Sequence, residues 1–239
     1  MSSKKIFIVD STDRLSGTSS DFTINPQPSI NSVKSIKLLS AEIPRTAYTV
    51  DSTNNHLFFN DGANRLASLV YGYYNTTTLA TAILNALNLS TSTAGPFTVN
   101  ISSISGLITI TSTSAISIVT GNFSIHSLLG FTVPTASATT LTGIYVVNLS
   151  LPNYYIIDIS GYNSIVSSCN PMDYGSFVVM AKTSSGGIDY FAINSDFHMR
   201  DIGISNINQL SIRIKKGGGS IINLNGAPVV LVFEITFDN

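Results

Sequence analysis

The chain has 239 residues, of which 44% are hydrophobic and only 10% charged, and its formal net charge is −1. That length and a mean hydropathy of +0.30 exclude a disordered chain and allow one large domain or a domain with an insertion. With no basic surplus the chain is not built to wrap nucleic acid, and apolar runs such as residues 229–233 fall far short of the ~20 residues that span a bilayer.

Taken in chain order, the dominant pattern is short β-type runs separated by turn residues. Residues 5–9 form the first run, which is too short for a signal peptide and reads as a strand. Residues 33–43 follow, with Val33, Ile36, Leu38 and Leu39 among polar neighbours, and Pro44 stops them. Residues 56–59 and 65–71 flank the turn signal Asn60-Asp61-Gly62. One segment has helical spacing: in residues 76–89, Leu79, Ala80, Ile83, Leu84, Ala86 and Leu87 recur on one face, and Asn75 can cap the start. Strands are predicted at 97–101, 107–111, 116–119, 144–151 and 154–159. Residues 177–183 and 188–193 bracket Ser184-Ser185-Gly186-Gly187 and predict a hairpin. The chain closes with strands at 210–215, 220–224 and 228–237, the last two joined by an Asn225-Gly226 turn.

One helix among a dozen or more short strands predicts an all-β sandwich or barrel. Residues 73–131 differ in character, being a helix, a polar hairpin and the apolar string Leu128-Leu129-Gly130-Phe131. They read as an inserted helix and β-hairpin segment between 1–72 and 132–239, which form the sandwich.

Charge is distributed unevenly. Between Arg65 and Asp158 there is no Asp, Glu, Lys or Arg, and His126 is the one group titrating near neutral pH. Ser, Thr and Asn take the exposed positions. Such a surface is desolvated against a protein partner at lower cost than a charged one. It also lacks equipment for acid–base chemistry.

The candidate chemistry is correspondingly thin. His56, His126 and His198 are dispersed, with no second His or Cys at metal-ligand spacing. Asp196, His198 and Asp201 form the one local acid–His cluster and read as a loop closed by hydrogen bonds. Cys169 is the single cysteine, so it forms no intrachain disulfide, and it has no neighbouring base to activate it. Lys215-Lys216-Gly217-Gly218-Gly219-Ser220 has the wrong order for a phosphate loop and reads as a hairpin tip. Tyr71, Tyr73, Tyr74, Tyr154 and Tyr155 could stack on a sugar or base but lack a basic surround. Asn75, Asn88, Asn100, Asn122 and Asn148 match the glycosylation pattern, as chance provides in a chain rich in Asn, Ser and Thr. The expectation is a protein with no catalytic, cofactor-binding or metal site, and not an enzyme.

Several strings carry a resemblance. Residues 8–14 (Ile-Val-Asp-Ser-Thr-Asp-Arg) with Ser20-Asp21-Phe22, and residues 33–44 ending Leu-Ser-Ala-Glu-Ile-Pro, resemble the N-terminal half of small capsid proteins of large double-stranded DNA viruses and virophages. Tyr74 with the 76–89 helix and residues 128–131 is similar to an insert in that group. So is the ending: residues 210–214, a Gly-rich turn, Ile222-Asn223-Leu224-Asn225-Gly226, then residues 230–236. Single jelly-roll pentons match best in size. The resemblance implies a single jelly-roll β-sandwich with a small helix-plus-hairpin insertion. It also implies a structural virion protein made in the host cytoplasm, forming a homopentamer at icosahedral vertices. Its partners would be itself, the major capsid protein and other minor capsid proteins, with no nucleic acid and no membrane span. The charged N-terminal arm, Lys4, Lys5, Asp10, Asp13 and Arg14, would reach the major capsid protein. The alternative readings are a carbohydrate-binding or host-attachment jelly roll of the virion, another minor capsid protein, or a depolymerase, for which the carboxylates are few.

Overall fold

The computed structural model describes residues 2–91, 93–162, 165–166, 172, 174–180, 188–192, 199–200 and 206–238. The chain divides into two compact units, 1–47 with 151–239, and 48–150. The principal elements are β1 (Ser2–Asp10), β2 (Asp21–Ile24), β3 (Val33–Pro44), β4 (His56–Asn60), β5 (Asn64–Ser68), α1 (Thr76–Ser90), β6 (Thr98–Ile101), β7 (Ile108–Ile118), β8 (Ala138–Thr142), β9 (Tyr154–Ile159), β10 (Phe177–Met180), β11 (Ile188–Ala192), β12 (Leu210–Lys216) and β13 (Val230–Asp238).

The first unit is a jelly roll, and its strand order establishes this. One sheet runs β1-β13-β3-β11 and the other β10-β9-β12-β2. Counted within this unit, those are strands 1-8-3-6 and 5-4-7-2, the two interleaved Greek keys of a jelly roll. All the pairings are antiparallel. Period-2 alternation turns one side of each strand inward: Val9, Phe22, Ile24, Tyr155, Ile157, Ile159, Ile212, Ile214, Leu231, Phe233 and Ile235 share one buried core. Each such side chain removed from water stabilises the fold by about 1.5–3 kcal/mol.

The irregular spacing of residues 33–43 has a structural cause. Val232 faces Ser40 and Phe233 faces Leu38, so Leu39 is an extra residue, a β-bulge. The inward set is Ile36 and Leu38 before the bulge and Ala41 and Ile43 after it. The Asn225-Gly226 turn forms as expected. Both residues have positive φ, 52° and 83°, and the Ala227 N–H donates to the Leu224 carbonyl at 3.0 Å.

The second unit is larger than the 73–131 segment read from the sequence. It includes β4 and β5, which pair with each other and, through β4, with β7. It also includes β8, which pairs with β7. These strands hydrogen-bond inside the unit, so they belong to it. Leu57, Phe59, Leu79, Ile83, Leu87, Ile108, Ile110, Ile116 and Ile118 form its own core. Asn75 caps α1, its side chain accepting from the Thr78 N–H at 2.9 Å while Thr78 Oγ1 accepts from the Asn75 N–H.

Several expectations need correction. The two strands predicted at 107–111 and 116–119 are one, β7, with an irregularity opposite residues 138–140 where Thr113 turns to bond the Ala94 carbonyl. Residues 144–151 are not a strand. Their N–H groups donate to carbonyls of Gly130, Gly106 and Leu128, which belong to no single strand. Ile144, Tyr145 and Val146 are exposed in succession instead of alternating. Residues 220–224 make only one bridge, Lys215 to Ile221. The hairpin predicted around residues 184–187 does not pair with itself. β10 joins β9 and β11 joins β3, so the two strands lie in opposite sheets, and residues 181–187 are outside the described residues. A turn signal marks reversal of the chain; it does not say whether the flanking strands hydrogen-bond.

Candidate functional site

The five residues expected in an N-terminal arm are held in strand and turn. Lys4, Lys5 and Asp10 belong to β1, which pairs along its whole length with β13, from Ser2–Asp238 to Asp10–Val230. Lys4 Nζ lies 2.9 Å from Glu234 Oε1, and Lys5 Nζ sits 5.5 Å above the Phe237 ring. The Asp10 carboxylate accepts from the Thr12 N–H at 2.8 Å and caps the short 3-10 turn Ser11–Asp13. Arg14 donates to the Ser11 and Gly17 carbonyls at 2.7 and 3.1 Å. Lys4, Lys5 and Asp10 thus lie in an edge strand, as read for residues 5–9, and Asp13 and Arg14 lie in a capped turn and just after it. Ile6 and Ile8 on its outward face are 59% and 65% exposed. A groove of about 480 Å³ borders β1, and Lys5 is the one charged residue in its lining.

The outer face of the β9–β12 sheet carries a buried charge network. Asp158 Oδ2 lies 2.5 Å from Lys215 Nζ, and both side chains are almost fully buried. Arg213 approaches Asp158 at 3.9 Å and Asp21 at 3.6 Å. Lys215 Nζ also stands 3.8 Å over the Tyr174 ring. Alternation correctly turns Lys215 away from the sandwich core, but the strip carrying Tyr174 and Gly175 covers it. Such a pair, with its donors and acceptors satisfied, is structural.

In the second unit, Asp51, Asp61 and Arg65 are the only charged residues. Asp61, read from the sequence as a turn residue, accepts from Thr91 Oγ1, from Thr93 Oγ1 at 2.8 Å and from Arg65 Nε at 3.0 Å. Burial by itself would raise its pKa. The bonds from Thr91, Thr93, Arg65 and the Ala63 N–H outweigh that and hold the carboxyl well below the ordinary carboxylate range. The β4–β5 turn is thus tied to the chain just after α1, a link that adjacent sequence positions give no means to find.

His56 Nδ1 contacts Ser68 Oγ at 3.3 Å, and His126 Nδ1 contacts Ser124 Oγ at 2.8 Å. Among the described residues no group of three His, Cys, Asp or Glu is placed to hold a metal. Cys169, Asp196, His198 and Asp201 lie outside the described residues. The tyrosines separate. Tyr155 is in the jelly-roll core, Tyr74 donates to the Val70 carbonyl at 2.7 Å, and Tyr71 and Tyr73 are exposed. Asn75 and Asn88 are engaged locally, Asn88 accepting from the Phe97 N–H at 3.0 Å. Residues 215–220 form the expected tip, with Lys216 N–H donating to the Ser220 carbonyl.

The second unit therefore presents hydroxyls, amides and apolar groups. Val70, Tyr73, Leu89, Ile104, Tyr145 and Val146 are all exposed on it. No helix among the described residues is long and apolar enough to cross a membrane.

Fold and surface together define an all-β protein, a jelly roll that carries a second compact unit between its third and fourth strands. The chain belongs to a family of unknown function, DUF5901, which it matches over residues 2–223. No curated protein matches it. Among solved structures, the crystal structure of SeMet-labelled mavirus penton protein aligns with 12% identity and a TM-score of 0.44, covering 98% of this chain and 99% of that one.

Proposed function

We propose that this chain is a structural capsid protein, the penton that closes an icosahedral vertex as a homopentamer. Its partners on this reading are further copies of itself, the major capsid protein and other minor capsid proteins. It resides in the virion, is made in the host cytoplasm and performs no catalysis. The observation that carries the reading is the second unit. It has three charged residues and exposes Val70, Leu89, Ile104, Tyr145 and Val146, on an insertion into a jelly roll. A neutral surface is desolvated at low cost, and head-to-tail contacts repeated five times close into a ring. The charges Lys4, Lys5, Asp10, Asp13 and Arg14 contact the shell from a fixed strand and turn.

Light scattering on the purified chain, beside a reconstruction of particles, tests this. Five copies per ring, and density for the chain at the vertices, are expected. A monomer at high concentration with no copies at vertices would overturn it. The exposed Tyr71 and Tyr73 favour a second reading, glycan binding or host attachment by the same virion protein. Retention on a glycan array that is lost in Tyr73→Ala would support that role.

A further inference from the structure

We infer that β1 is a self-recognition edge, where two copies of this chain join their β1 strands antiparallel about a twofold axis at Phe7. β1 is the outermost strand of its sheet, paired with β13 on one side and with no described strand on the other. Its outward-facing side chains are Lys4, Ile6, Ile8 and Asp10, and its inward-facing ones include Phe7 and Val9. A long edge strand exposing isoleucines is a hazard that folded proteins cover or blunt.

The outward pattern Lys-Ile-Ile-Asp is complementary to its own reverse. With Phe7 opposite Phe7 of the second copy, Ile6 meets Ile8 and Lys4 meets Asp10, each twice. Every outward side chain then faces an outward one, and both end charges are paired. Centring the axis on Ile6 or Ile8 instead sets a charge against an isoleucine. An axis between two residues sets outward positions against inward ones. Charge complementarity therefore selects one register and one occupant, a second copy. The contact is smaller than the roughly 800 Å² per partner of a stable interface, so it forms in a concentration-dependent way. It is isologous, unlike the ring contact, and does not depend on the penton reading. It takes up Lys4 and Asp10 in place of the shell contact proposed for them and leaves Asp13 and Arg14 in the adjoining turn for other neighbours.

Sedimentation of the full chain with Cys169→Ser, up to about 1 mM, tests this. Lys4→Asp or Asp10→Lys alone sets like charges together and should weaken self-association about tenfold or more. The double variant Lys4→Asp/Asp10→Lys should restore it, which a folding defect would not do. In parallel, a chain with Ile6→Cys mixed with a chain with Ile8→Cys should form disulfide-linked dimers faster than either chain alone. The register would be overturned by equal crosslinking in all three samples, or by single reversals that leave association unchanged. A twofold-free chain, seen as no β1-dependent association in this range, would overturn the edge itself. Ring formation by the same variants would be unaffected, so the two readings fail separately.

Discussion

Asp61 is a charged side chain whose role is to be bonded. Its carboxylate closes the β4–β5 turn onto Thr91 and Thr93 and is itself removed from water. Asp61→Ala leaves these donors without an acceptor and should cost about 1.5–3 kcal/mol, read as a lower midpoint in urea. The pH dependence follows from the sign of the shift. A carboxyl whose folded pKa lies below its ordinary value of 3.8 stabilises fully above that value and loses the contribution as pH falls toward the folded pKa. Between about pH 5 and pH 2, the native chain should therefore lose stability faster than Asp61→Asn. The Asp158–Lys215 pair behaves differently because both partners are buried. Lys215→Met alone strands a buried carboxylate and should cost about 3–5 kcal/mol, whereas Asp158→Leu/Lys215→Met should return most of it. Chemical denaturation of the three variants checks this.

At the level of elements, the loop 144–146 depends on Gly130. Its φ of 79° is left-handed, and its carbonyl accepts the N–H groups of Ile144 and Tyr145. A Cβ there would lie 2.0 Å from the Tyr145 carbonyl oxygen. Gly130→Ala should therefore destabilise the chain by about 1–3 kcal/mol and displace this exposed apolar loop. The melting temperature and protection of the 144–147 amides in hydrogen exchange measure the two effects. Gly130 was visible in the sequence only as part of an apolar string, since the atoms it accommodates come from a distant segment.

For the molecule as a whole, assembly is the quantity to perturb. Thr98 and Thr109 lie in β6 and β7 on the face opposite Ile108 and Ile110, which are buried. Thr109 Oγ1 also contacts Thr142 Oγ1 at 3.2 Å. Thr98→Asp and Thr109→Lys should shift the stability of the isolated chain by under about 0.5–1 kcal/mol. If this face is covered in the particle, each adds an unpaired charge at a desolvated contact, at about 1–3 kcal/mol or more. Melting temperature beside incorporation into particles separates the two. Normal incorporation of both variants would mark the face as free surface.

Local rules carried most of the strands, though not β2 or β8, together with the single helix with its Asn75 cap and the Asn225-Gly226 turn, because alternation, helical spacing and positive φ are properties of adjacent residues. The inward set of β12, Leu210, Ile212 and Ile214 alternating with Ser211, Arg213 and Lys215, was legible for the same reason, and so was the scarcity of charge in the middle of the chain. Long-range pairing was not legible. Residues 177–183 and 188–193 looked like one hairpin, yet their strands entered opposite sheets. The polar run at residues 111–114 hid a continuous β7, and residues 144–151 alternated like a strand without a neighbour to pair with. The site followed the same division. Composition marked a neutral surface, whereas the burial of Lys215 under Tyr174, the Asp61 clamp and the fixing of the N-terminal charges in an edge strand depend on which distant segments meet. Hydrogen-bond partners and burial are decided by those meetings, which local propensity does not encode.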